Sequence, residues 1–220
     1  MRLTTYEFGC CVGAFFEMST SDARTILPSH LQPLELHHDR SILAVLAFRF
    51  TESEVGPYDE IVLSVVTPPV LEPGKPLPRA AFYPFMLGTS TEASRQHAIE
   101  RWKLPHYMKD VQIDFVESPG RITVEVSDDG APVLELTVTE HDYSAVNFPY
   151  HCFTMDGDDR YKVNIQMGGP HSQHEEEAGE LVLHEHPLTA GLTISEVTSY
   201  PFREEWYKAG VQVFEELERL

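Results

Sequence analysis

Strict two-residue alternation of apolar and polar side chains, repeated along Gln112 to Thr139, constrains this chain more than any other feature. Ile113 and Phe115 alternate with Gln112 and Asp114. Ile122, Val124 and Val126 alternate with Arg121, Thr123 and Glu125, and Leu134, Leu136 and Val138 with Glu135, Thr137 and Thr139. Successive side chains of a strand point to opposite faces, so this period sets one face on a core and the other in water. Ser118-Pro119-Gly120 and Asp128-Asp129-Gly130 supply the turns. The segment reads as an antiparallel meander. Further strands are expected at Ile42 to Phe50, Ile61 to Thr67, Ala81 to Met86, Tyr161 to Gln166, Glu180 to His186 and Leu192 to Ser199.

Helices are few. Ser21-Asp22 can cap a short one ending near Pro28, and Thr91 to Trp102 reads as a second, with Thr89, Ser90 or Thr91 as N-cap. A third is expected after Pro201, with Trp206, Gly210, Val213, Phe214 and Leu217 on one face. The proline-rich stretch Pro68 to Pro78 reads as an extended connection and Gly168 to Gly179 as a polar surface loop. With no interdomain linker or repeat, one mainly β (α+β) domain over residues 1–220 is expected.

Charge narrows the partners. Sixteen Lys and Arg against 35 Asp and Glu give a net charge of −19. Such a field repels phosphate backbones and anionic lipid surfaces, so neither nucleic acid nor membrane is an expected partner. No run reaches the roughly 18 apolar residues of a membrane span. Met1 to Phe16 has no secretory pattern, and the expected location is cytoplasmic. Cys10, Cys11 and Cys152 are odd in number with no CxxC spacing, which reads as reduced thiols in a core.

Two tracts can carry chemistry. The turn Gly56-Pro57 delivers Tyr58 and Glu60 to one side of a strand that becomes apolar at Ile61. A carboxylate there either pairs with a cation or is desolvated and raised in pKa. In the second tract, Pro105 ends a helix and His106 and Tyr107 follow where the chain turns inward. The plain alternative is a hydrogen-bonded histidine at a helix-to-strand junction. His184 and His186 would share a strand face, half of a metal site, but no motif completes the set, and no metal or cofactor is expected. GxGxxG, P-loop, HExxH and GxSxG patterns are absent.

Taken together, Tyr58-Asp59-Glu60, Glu100-Arg101, Pro105-His106-Tyr107, the entry segment Asp22 to Pro28 with Leu31 to Glu35, and the tract Leu181 to Tyr200 resemble acetoacetate decarboxylase and its relatives. The resemblance implies an antiparallel β-barrel/sheet core with a few flanking helices, and a homo-oligomer. In that family a lysine amine forms a Schiff base with a β-keto acid, and the protonated imine accepts the electrons released with CO2. Here the reactive-lysine position corresponds to His106 and the neighbouring lysine to Tyr107, while a family arginine falls near Gly9. Glu60 is the functional residue that carries over. Imidazole forms no stable iminium with a ketone. Lys103 lies before the proline, and Lys109 has the wrong parity against His106 to share its face.

The resulting expectation is lysine-independent acid–base chemistry on a small oxo-acid or carbonyl compound, with Glu60, His106, Tyr58 and Tyr107 as the working groups. Two alternatives stand beside it: a non-catalytic small-molecule binding protein on the same scaffold, and an oligomeric interaction protein built on the amphipathic C-terminal helix.

Overall fold

A single long strand, paired along both edges, closes the larger of two sheets on itself. The computed structural model describes residues 3–220. Its first strands are β1 (Thr4–Ser19), β2 (Glu35–His37), β3 (Arg40–Glu52), β4 (Tyr58–Thr67) and β5 (Ala80–Thr89), with helix α1 (Thr20–Ile26) after β1 and α2 (Glu92–Trp102) after β5. Then come β6 (Gln112–Ser118), β7 (Arg121–Asp128), β8 (Ala131–Thr139), β9 (Tyr143–Asp156) and β10 (Asp159–His174). The chain ends with β11 (Glu180–Leu183), β12 (Arg203–Tyr207), β13 (Gly210–Phe214) and β14 (Glu218–Arg219).

β1 pairs with β3 on one edge, and with β13 and then β12 on the other. β12 and β13 lie end to end and also pair with β10, from which the sheet continues through β9, β5 and β4 back to β3. The result is a closed barrel of seven strand positions, β12 and β13 sharing one. Their junction is tight. A Cβ on Gly210 would lie 2.3 Å from the Gly168 carbonyl oxygen and 2.5 Å from the Phe8 ring, so only glycine fits.

Barrel alternation sorts side chains into two cores. Ile61, Leu63 and Val65 of β4 face outward, with Leu43, Val45 and Ala47 of β3 and Val12, Ala14 and Phe16 of β1. They pack against Ile122, Val124, Leu134 and Leu136 of the second sheet, ordered β11-β8-β7-β6. Inside the barrel lie Tyr6, Phe8, Cys11, Phe48, Phe50, Tyr58 and Val62. Tyr6, Phe8 and Cys11 share the interior because the β1 register slips at Phe8 to Cys10, a bulge that resets the alternation.

The meander is as expected, and α2 is capped by Thr91, whose Oγ1 accepts from the Ser94 N–H at 3.2 Å. Several expectations are corrected. The barrel sheet is mixed, since Ala80–Phe82 of β5 run parallel to Tyr150–Cys152 of β9. The chain crosses from β5 through α2 and the outer sheet before returning, and a parallel pair requires such a crossover. Leu192 to Ser199 forms no strand but contains a 3-10 turn at Ile194–Glu196. The strand expected through His186 ends at Leu183, and Gly168–His174 of the expected loop belongs to β10.

The largest correction concerns the C-terminus, which holds β12 and β13 where a helix was expected. Glu204 and Trp206 point towards the outer sheet, while Glu205 and Tyr207 point into the barrel, so two core faces are served by alternate residues. Glu204 is fully buried. Its carboxylate accepts from Thr139 N–H at 2.7 Å, Thr139 Oγ1 at 3.0 Å, Ala178 N–H at 3.0 Å and Gly179 N–H at 2.8 Å, tying β12 to β8. Glu204→Leu strands those buried donors and is expected to cost about 3 to 5 kcal/mol in urea unfolding; a loss under roughly 1 kcal/mol contradicts the clamp.

Candidate functional site

Glu60 follows from the local build of β4. Gly56 takes a positive φ of 86°, the chain turns, and Tyr58 pairs with Phe50 while Glu60 pairs with Phe48 on β3 and Thr89 on β5. Tyr58, Glu60, Val62 and Ser64 therefore point into the barrel at two-residue spacing.

The barrel encloses a cavity of about 110 Å³. Its walls are mainly apolar, with Phe15, Phe48, Phe82, Leu87 and Phe214 among them. Glu60 faces this space from β4 and Glu205 from β12; Cys11, Cys152 and Gln212 also line it. Among the described residues, none hydrogen-bonds or ion-pairs with the Glu60 carboxyl, and burial alone pushes it up to about 8. The surface that Glu60 retains faces the cavity. Burial, with the Glu60 charge adding to it, pushes the Cys152 thiol up to about 12 and raises the Tyr58 phenol. Both are neutral near pH 7.

Glu205 has the opposite environment. Burial works to raise its carboxyl, but Arg79 and His171 outweigh it and hold the group below the usual carboxylate value. Arg79 Nη2 donates to Glu205 Oε1 at 2.9 Å, and His171 Nε2 lies 3.7 Å from Oε2. Arg79 also reaches Gln173 and stacks its guanidinium 4.1 Å from the Phe148 ring centre. The Tyr150 and Tyr207 hydroxyls lie 3.4 Å apart beside this group and line the same cavity.

A smaller recess of about 40 Å³ lies under α2, and Glu60, Leu104, Gln212 and Phe214 line both spaces. In it Trp102 Nε1 donates to the Tyr6 hydroxyl at 2.7 Å. The Tyr6 hydroxyl is 2.6 Å from His97 Nε2.

The structure brings two of the sequence-derived candidates, Tyr58 and Glu60, together and places the other two apart. His106 forms an isolated parallel bridge with Leu87, and its Nδ1 lies 2.6 Å from the Tyr107 carbonyl oxygen, to which it donates. Burial lowers its pKa, and it is not among the residues lining either space. The Tyr107 hydroxyl donates to Asp128 Oδ2 near the outer sheet, where Lys109 Nζ and His186 Nε2 also meet that oxygen at 3.4 and 3.2 Å. The five lysines all pair with carboxylates and none lines the cavity: Lys75 with Glu72, Lys103 with Asp156, Lys109 with Asp128, Lys162 with Glu72 and Lys208 with Glu140. Among the described residues no three His, Cys, Asp or Glu side chains group to hold a metal. No helix among them is long and apolar enough to cross a membrane.

Sequence reasoning passed over Glu205, Gln212, Tyr150, Tyr207 and the cavity role of Cys11 and Cys152. The available signal was Glu204-Glu205-Trp206-Tyr207, where acids and large aromatics fall on both parities of one short run. Such a run fits a strand with a core on each side better than a solvated helix.

No family model and no curated protein matches the chain. Solved structures do match. An acetoacetate decarboxylase from Legionella pneumophila superposes with a TM-score of 0.70 at 12% identity, covering 99% of this chain and 87% of that one. The enduracididine biosynthesis enzyme MppR, complexed with pyruvate, gives 0.67 at 13% identity, covering 98% and 90%. An acetoacetate decarboxylase-like enzyme from Sphingomonas wittichii RW1 gives 0.65 at 14% identity, covering 99% and 93%. The chain shares their fold.

The Glu60 environment has a consequence for stability. Its carboxyl titrates near 8 when folded and near 4.5 as a free side chain, so the native state holds the proton more tightly. Stability from this group is therefore complete below about pH 4.5 and is lost as pH rises towards 8, on the order of 5 kcal/mol across the window. Glu60→Gln removes the titration. In urea unfolding the variant is expected to match the native chain at pH 5 and exceed it at pH 9; parallel profiles contradict the assignment.

Proposed function

We propose that the barrel cavity carries out acid–base chemistry on a small carbonyl compound without an amine nucleophile, with Glu60 as the acid and Glu205 as the base. The observation that carries this reading is a pair of carboxyl groups facing one apolar space in opposite states. Glu60 has no partner among the described residues and keeps its proton, while Arg79 and His171 keep Glu205 ionised. Environments that drive two carboxyl groups apart in this way assign their roles.

In the step that this arrangement favours, the Glu60 O–H donates to the substrate carbonyl oxygen. The C–H bond on the adjacent carbon breaks, its proton passes to Glu205, and its electron pair becomes the C=C bond of an enol. Glu60 is left as carboxylate and Glu205 as acid; reversal at the same or another carbon restores both, with no co-reactant. A neutral carboxylic acid in an apolar site stabilises the developing oxyanion better than water does. Tyr58 supports the site through packing beside Glu60. His106 and Tyr107 have no part in this step, since neither lines the cavity. The pairing of all five lysines elsewhere supports the absence of a Schiff base. The neighbours named as decarboxylases, and MppR holding pyruvate, support a carbonyl ligand.

Exchange of carbon-bound protons in heavy water tests the proposal, read by NMR on 2-pentanone, 2-oxobutyrate and acetoacetate. Exchange above buffer is expected for at least one compound, and Glu60→Gln or Glu205→Gln should each slow it by roughly 100-fold or more. Borohydride added with acetoacetate is expected to leave the protein mass unchanged. Buffer-level exchange across the panel, or a reduced lysine adduct, contradicts the proposal. Binding without exchange favours the runner-up, a non-catalytic binding protein, which the apolar walls and neutral thiols also suit.

A further inference from the structure

We infer that the cavity selects uncharged, largely apolar carbonyl compounds and discriminates against carboxylates, including oxo-acids. This inference rests on the cavity being the functional site, and it narrows the ligand further than the reading above.

The charge inventory of the walls carries the argument. Among the described residues no lysine, arginine or histidine lines the main cavity, and the charged residue types that do are Glu60 and Glu205. Arg79 pairs with Glu205 at the cavity wall, and its guanidinium is committed to Glu205, to Gln173 and to the face of Phe148. A ligand carboxylate entering this space would lose its water and find no counter-ion, a penalty of several kcal/mol in real proteins. It would also face the ionised Glu205. Outside, the net charge of −19 repels approaching anions over a Debye length.

The donors that are present suit a neutral oxygen. Protonated Glu60 offers one O–H to a single acceptor, and the Gln212 amide and the Tyr150 and Tyr207 hydroxyls line the same space. The remaining walls are aromatic and aliphatic and match a hydrocarbon body. A volume of about 110 Å³ is somewhat below the roughly 150 Å³ apolar cavity that holds benzene, which limits the ligand to about six heavy atoms at most.

Other titratable groups do not obscure a pH test. Facing Glu60 across the two spaces are Tyr6 and Cys11 from β1, Tyr58 from its own strand, His97 from α2, Tyr150 and Cys152 from β9, and Glu205 and Tyr207 from β12, with Tyr150 and Tyr207 raised by burial like the other phenols. Burial lowers His97 and raises the thiols and phenols, and Glu205 is held low. Glu60, pushed up to about 8, is the group among these expected to change charge between neutral pH and pH 8.5, and Glu60→Gln isolates its contribution.

Two isosteric probes decide the matter: 2-pentanone, and butyrate, which replaces one methyl with an anionic oxygen. Binding is measured by ligand-observed NMR at pH 6 and pH 8.5, with 2-oxobutyrate alongside. At pH 6 the ketone is expected to bind at least 10-fold more tightly than either carboxylate. Its affinity should fall several-fold by pH 8.5 in the native chain and stay constant in Glu60→Gln, whose amide donates at both values. A carboxylate that binds as well as the ketone overturns the inference, and the acid–base reading stands if exchange is seen with it. Failure of all three probes to bind overturns both.

Discussion

The desolvation of one carboxyl group depends on a barrel that closes, and closure depends on β1. That strand is paired on both edges for much of its length, with β3 on one side and the β12–β13 pair on the other. An open sheet would leave Glu60 facing water, where a carboxyl titrates in its ordinary range. Closed, the sheet surrounds Glu60 with its own interior face, and among the described residues no cation or hydrogen-bond partner compensates the charge. The outer sheet reinforces closure by burying the opposite faces of β1, β3 and β4, and Glu204 locks the two sheets together. A favourable core and an unfavourable charge site are thus built from alternate residues of the same strands.

The adjacent glutamates of β12 show how far neighbouring side chains can diverge. Glu204 meets backbone and side-chain donors between the sheets, and Glu205 meets Arg79 and His171 at the cavity wall. Glu60 of β4, three strand positions from β12 around the barrel, meets no partner among the described residues. Carboxyl groups of one chemical kind thereby become a structural tie, a carboxyl held low by its partners and a carboxyl raised by burial.

Much of the architecture was legible where strands have one wet face. The β6–β7–β8 meander and the Tyr58-x-Glu60 parity follow from alternation, and the motif resemblance implied the barrel that is observed. β1 was not legible, because from Cys10 to Phe16 it is buried on both faces and its sequence has no period. The C-terminal segment misled for a related reason. Glutamates beside aromatics suggest a solvated helical face until a second core claims them. The same error concealed Glu205, since its role comes from Arg79, 126 residues away. Long-range pairing of this kind leaves no local signature. His106 and Tyr107 follow Pro105 as anticipated, yet the backbone exchange with Leu87 directs the chain past the barrel wall, so that Leu104 lines the cavity.

The proposed chemistry turns on whether Glu60 carries a proton at neutral pH. Infrared difference spectra recorded across a pH titration read this directly, because a protonated carboxyl has its own C=O stretch. The expected result is a band that persists at pH 7, disappears with a midpoint near 8 and is absent in Glu60→Gln. A midpoint near 4.5 for that band would contradict the account, since Glu60 would then be an ordinary carboxylate with no proton to donate.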